Sequence, residues 1–206
     1  MTDHQPPAPP EVLVLACGAL ARELRDIITA NSFDHVTIEC LPGDLHNRPD
    51  EIPGAVERRL DAVADRYRTV LLGYADCGTG GRLDELCRRR GIQRLPGPHC
   101  YELYAGHEAF AALHHEEPGT FYLTDYLAKH FDRFVWRVLG LDRHPELRDQ
   151  YFGNYRRLVH LAQVDDPEIR AAAAAAADRL GLAFEHRITG YGGLGDVLVD
   201  LGASTR

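Results

Sequence analysis

The chain has 206 residues, 45% hydrophobic and 26% charged, enough for one α/β domain or two small lobes with a buried core. A net charge of -8, a single lysine (Lys129) and arginines scattered among acids exclude the clustered positive surface that nucleic-acid binding needs. No apolar run nears the ~20 residues of a membrane helix, and MTDHQPPAPP lacks the order of a secretory signal, so reduced thiols and a cytoplasmic location are expected for the five cysteines.

Residues 1–10 read as a disordered, proline-rich lead. EVLVLAC (11–17) is an apolar strand ending in Cys-Gly, and ALARELRDIITANS follows with helical spacing. HVTIECL (35–41) is a second, β-branched strand. Past the loop LPGDLHNRP, the segment EIPGAVERRLDAVADRY is helical. RTVLLGYADC (68–77) is a third strand, again ending in Cys-Gly, and a glycine-rich turn follows it. RLDELCRRRG is a helix closed by Gly91, with Arg88, Arg89 and Arg90 where cations meet the helix dipole. IQRL is a short fourth strand. Beyond it HCYELYAGHEAFAALHHE and TDYLAKHFDRFVWRVLG both carry helical spacing. YRRLVHLA, PEIRAAAAAAADRLG and LAFEHRIT then repeat strand, helix, strand. The seven alanines at 171–177 suit a close-packed helix. The fold expected is α/β, a mainly parallel sheet of Rossmann-like βα units with a more helical second half. One domain would span 11–201, divisible into lobes at 11–100 and 101–201.

In open α/β sheets ligands bind beyond the carboxyl ends of the strands. Cys17 and Cys77 sit at two such ends, His46 in the proline-bounded arm off a third, and His99-Cys100 after the fourth. A helix N-terminus there is expected to lower a thiol pKa and favour the thiolate. A lone cysteine ending a strand is ordinarily core. Two matching Cys-Gly ends, a His-Cys pair and a rigid His arm point instead to a site. The expected metal ligands are Cys17, His46, Cys77 and Cys100. No CxxC or HExxH occurs, so structural zinc spacing is missing. Cys40 faces the core or replaces a ligand, as His99 also could, and Cys87 packs inside a helix. His107, His114 and His115 suit a solvated face.

GYADCGTGG (73–81) resembles an anion-binding loop, with Gly78, Thr79, Gly80 and Gly81 offering amides to a cofactor or substrate anion. Its plain reading is a tight turn. Asp76 is a candidate base or orienting group. His99 is a candidate proton relay, and Glu102, opening a helix beside Cys100, a candidate proton donor. Asn154 and Tyr155 in FGNYRR are placed near the site, and TGYGGLGD (189–196) reads as a glycine turn or a loop closing over substrate.

CLPGDLHNRP, GYADCGTGG, LPGPHCYELYAG, GTFYLTDYLAKHFD and FGNYRRLV together resemble the bacterial and archaeal domain-of-unknown-function family numbered 1638, from Val12 to about Leu201. The family's features fall on Cys17, His46, Cys77 and the His99-Cys100 pair. The resemblance implies company with corrinoid-dependent methyl transfer, hence a corrinoid or methyltransferase partner. A looser similarity, in style and not in motif, is to quinolinate synthase, whose single cysteines hold an iron–sulfur cluster.

The function expected is a metal-dependent enzyme acting on a small molecule, a transferase or lyase using zinc or an iron–sulfur cluster, with thiol or methyl transfer as its chemistry. A carrier or accessory protein of methyl metabolism is the second reading. A metal-free enzyme with Cys77 as nucleophile, and His46 or His99 as base, is the third.

Overall fold

The computed structural model describes residues 12–63 and 66–204, so the lead expected at 1–10 lies outside the described residues. The strands form two parallel sheets. The first has the order β2-β1-β3-β4, from β1 (Val12–Cys17), β2 (Val36–Leu41), β3 (Thr69–Gly73) and the short β4 (Gln93–Arg94). Helices α1 (Ala21–Ala30), α2 (Ile52–Val63) and α3 (Arg82–Arg90) join these strands in turn.

Every residue of β1 is buried, as a central parallel strand covered on both faces requires. The approach of β3 to β1 is close. A Cβ on Gly73 would lie 2.5 Å from the Cβ of Ala16, its register partner, so no side chain fits there. Leu20, Leu24 and Ile27 recur at helical intervals and carry α1 onto the sheet. α3 has Asp84 and Glu85 in its first turn and three arginines in its last, and stops at Gly91 in the left-handed region.

The second half is more than helical: it holds its own sheet, β5-β6-β7, from β5 (Thr120–Thr124), β6 (Arg157–Ala162) and β7 (Ala183–Ile188). β5 escapes a reading by periodicity because it runs into α6 (Asp125–Lys129) with no loop between. Thr124 is both the last strand residue and the N-cap, its hydroxyl accepting the Leu127 amide at 3.4 Å. The long helix expected over TDYLAKHFDRFVWRVLG is therefore broken, ending at Lys129 and resuming as a π-type turn at Asp132–Trp136. The helix expected after residue 99 splits at Gly106 into α4 (Cys100–Ala105) and α5 (His107–Glu116). α7 (Arg148–Phe152) precedes β6.

α8 (Pro167–Leu180) has both ends set locally. The Asp166 carboxylate accepts from the amides of Glu168 and Ile169, Pro167 opens the helix, and Gly181 closes it. Ala173, Ala176 and Ala177 are buried with Ile169 and Leu180, so the alanine run lets α8 sit close on α6 and β7.

The last helix, α9 (Gly193–Ser204), returns to the first sheet, with Leu194 and Leu198 in that sheet's core. Its entry is pinned. A Cβ on Gly192 would lie 2.4 Å from the Tyr104 carbonyl oxygen, and the Tyr191 hydroxyl donates to Asp26 at 2.7 Å. TGYGGLGD is thus a packed connection, not an open flap. A third cluster, Leu113, Tyr122, Val159 and Leu161 with Tyr101 and Phe110, joins the other face of the second sheet to α4 and α5. No helix among the described residues is long and apolar enough to cross a membrane.

Candidate functional site

The parallel register of β1 on β2 sets Cys17 beside Leu41, where the proline arm leaves the sheet. From Pro42 the chain makes a 3-10 turn, Gly43–Asn47, anchored by buried Leu45. That turn brings His46 back over the tip of β1. Its Nδ1 stands 3.4 Å from the Cys17 sulfur, which also accepts the Ala19 amide at 3.3 Å. The imidazole stacks on Tyr74, with ring centres 6.2 Å apart and planes 14° apart.

Cys77 does not end a strand. β3 stops at Gly73, and Cys77 lies four residues on, in the left-handed region at φ 51, its amide donating to the Pro98 carbonyl. Cys100 opens α4, half-buried like Cys77. Cys17, Cys77 and Cys100 share one electrostatic neighbourhood, since ionising Cys77 disfavours ionising either of the others.

The thiols are not activated by helix ends, contrary to expectation. Burial pushes the Cys17 thiol up to about 12; the Ala19 amide lowers it only in part, and Cys77 and Cys40 add to the rise. Burial likewise takes Cys77 to about 11, with the Ala75 backbone lowering it, Asp76 raising it and Arg94 lowering it. Cys100 is pushed up by burial and then by Cys77 and Cys17. One amide dipole does not offset removal from water. His46 is held below its ordinary value by burial, so it is neutral at pH 7. Among the described residues, no three His, Cys, Asp or Glu side chains are arranged to hold a metal ion together.

The glycine loop closes on itself. Asp76 accepts from the Thr79 hydroxyl at 2.7 Å and from the amides of Gly81 at 2.9 Å and Gly80 at 3.1 Å. Burial pulls its carboxyl upward, but those bonds and Arg94 outweigh it and hold the group below the usual range. The amides expected to grip a ligand anion thus grip the loop's own carboxylate. His99 is the residue before α4 and packs against Phe110 and Tyr101 at 4.9 and 5.3 Å between ring centres. Its pKa is lowered by burial, and the other side chains that perturb it are Glu102 and His114, not the thiols. Glu102 bonds the exposed His107. Cys40 is exposed and Cys87 packs in the core, while His114 and His115 are exposed. Tyr155 packs on Phe152 and Phe121 in the second sheet's core.

Several polar residues at the second sheet's carboxyl edge escape sequence reading. The fully buried His160 donates from Nε2 to Asp125 at 2.9 Å, and its Nδ1 meets Nδ1 of His186 at 3.1 Å. Asp125 also accepts the Val164 amide, and its own amide donates to Gln163. The one available signal was a histidine inside the apolar run LVHLA. The two sheet edges meet here. Tyr126 of α6 lies over Gly43, where a Cβ would come 2.8 Å from its hydroxyl, and Arg22 stands 3.8 Å from Asp125. Between the tips of β1 and β5 is a cavity of about 310 Å³ that reaches Gly18 and Ala19, next to Cys17. A larger cavity of about 910 Å³ lies at the starts of β3 and β4, and no thiol or imidazole of the candidate site lines it.

The model of a family of proteins of unknown function, DUF1638, matches residues 40–198. The chain belongs to this family. The DUF1638 span holds His46, Cys77, His99 and Cys100 together with all of the second sheet, whereas Cys17, β1 and α1 precede it. It is shorter than the stretch from Val12 to Leu201 over which the motifs carry the resemblance. No curated protein and no solved structure matches this DUF1638 chain.

Proposed function

We propose that this DUF1638 protein binds a soft metal at the carboxyl edge of its first sheet, zinc in the first instance and an iron–sulfur cluster as the alternative, and uses it on a small molecule in thiol or methyl transfer. The observation that carries the reading is the Cys17–His46 spacing. Two ligands of one tetrahedral zinc, at roughly 2.3 Å for sulfur and 2.05 Å for nitrogen, stand about 3.6 Å apart; Cys17 and His46 stand at 3.4 Å. The same distance serves as a hydrogen bond when no metal is held. Cys77 supplies the third ligand by turning its side chain toward that pair, with Cys100 in place of His46 as the alternative set, and the fourth position is left for substrate.

Electrostatics favours the same reading. Cys77 raises the pKa of both Cys17 and Cys100, and burial outweighs Arg94 at Cys77, so a bound cation would supply the positive charge that thiolates here need. A thiolate and imidazole set selects zinc or iron–sulfur over magnesium or calcium, and zinc with an open position activates a bound thiol or water. A cysteine nucleophile is disfavoured because His46 faces Cys17 and not Cys77, and a neutral imidazole beside a thiol pushed to about 12 forms no ion pair. The test is metal analysis of untagged protein purified without oxygen. Near-stoichiometric zinc or iron, lost in both Cys17→Ser and Cys77→Ser, is expected. Absence of metal in the wild type, or unchanged metal in both variants, overturns the reading.

A further inference from the structure

The 310 Å³ cavity between the sheet edges combines two polar groups that the fold leaves short of partners. Glu23 is 2% exposed, yet its Oε2 has no hydrogen-bond partner among the described residues. A buried carboxyl oxygen left without a partner is costly, so such an atom normally faces a ligand or water. Arg22 is the second. Its guanidinium lies 3.8 Å from Asp125 and 3.9 Å from Asp26, beyond hydrogen-bond distance from both, and it donates no hydrogen bond among the described residues. Lys129, across the cavity on α6, carries no ion pair among the described residues. Asp26 is otherwise engaged by Tyr191, and the Asp125 carboxylate by His160 and Val164.

We propose that this cavity seats the oxyanion of a small organic molecule, a carboxylate or a phosphate, with Arg22 and Lys129 gripping the anion and the unpartnered Glu23 carboxyl taking up a proton from solvent as the anion binds, so that it donates to it. The assignment deepens the metal reading by naming the substrate's anionic handle, because Gly18 and Ala19 line the cavity directly after Cys17. Burial, the largest influence on Glu23, raises its pKa, the direction that favours proton uptake when the anion binds.

The test is calorimetric titration of the purified protein with inorganic phosphate and, separately, with malonate. Saturable binding of at least one probe is expected, and the tighter one names the chemical source of the handle. Arg22→Gln should weaken it roughly tenfold or more, the scale of a lost charged hydrogen bond. Lys129→Ala, at an exposed position that folding tolerates, should weaken it several-fold, Glu23→Gln should retain it as a neutral donor, and Arg143→Gln, far out on the surface, should leave it unchanged. No saturable binding of either probe, or affinity that survives both Arg22→Gln and Lys129→Ala, overturns the proposal. Repeating the titration on Cys17→Ser separates the two readings: anion binding that persists there while metal is lost places the fault, or the support, on one site alone.

Discussion

The thiol pKa values make a quantitative prediction for metal binding. At about 11 for Cys77 and about 12 for Cys17, ionising the two at pH 7 costs about 5 and about 7 kcal/mol, at ~1.36 kcal/mol per unit. Each thiol that coordinates zinc must therefore release its proton on binding, whereas His46, already neutral, releases none. Two coordinating thiols raise the apparent zinc affinity about a hundredfold for each unit of pH between 7 and 8, and a third, Cys100, makes it about a thousandfold. Calorimetry in buffers of differing ionisation enthalpy counts the protons directly. Cys17→Ser, which loses metal on purification, should bind zinc added in excess more weakly and release about one proton fewer. A pH-independent affinity, or an unchanged proton count in Cys17→Ser, refutes coordination by these thiols.

Three further outcomes test the physics of the fold. Gly73→Ala should cost about 1–3 kcal/mol in urea unfolding because its Cβ meets Ala16 at 2.5 Å, and adding Ala16→Gly should recover part of the loss. For Glu23 the folded pKa lies above the ordinary 4.5, so its contribution is fully present below 4.5 and is lost as pH rises through the raised folded value. Glu23→Gln should therefore gain on the wild type in urea melts taken from pH 4 to pH 8. Arg179 lies 4.1 Å over the ring of Trp136, the single tryptophan, so Arg179→Ala should shift the intrinsic emission and cost ~0.5–1 kcal/mol.

Features set within a few residues are legible in the amino-acid order alone. The six apolar residues of β1, the Asp166-Pro167 start and Gly181 stop of α8, and the dipole-matched charges of α3 each follow from local spacing and capping, and the α/β alternation follows from them. The strand-tip rule also sends Cys17 and His46 to one edge, since parallel order places every carboxyl end on the same side. Where two elements abut without a loop, as β5 and α6 do at Thr124, periodicity blends them and the strand disappears from view.

Tertiary structure alone decided the rest. Whether a helix end activates Cys17 depends on how much water the distant chain removes, and burial by other segments outweighs one amide dipole. Whether the amides of Gly80 and Gly81 are free depends on the direction in which Asp76 turns. The Asp125–His160–His186 chain and the cavity of Arg22, Glu23 and Lys129 join residues from separate strands and helices, so no window of sequence contains them. A sequence specifies local conformation through short-range sterics and hydrogen bonds. Solvation, and with it charge and reactivity, is settled only when remote segments pack.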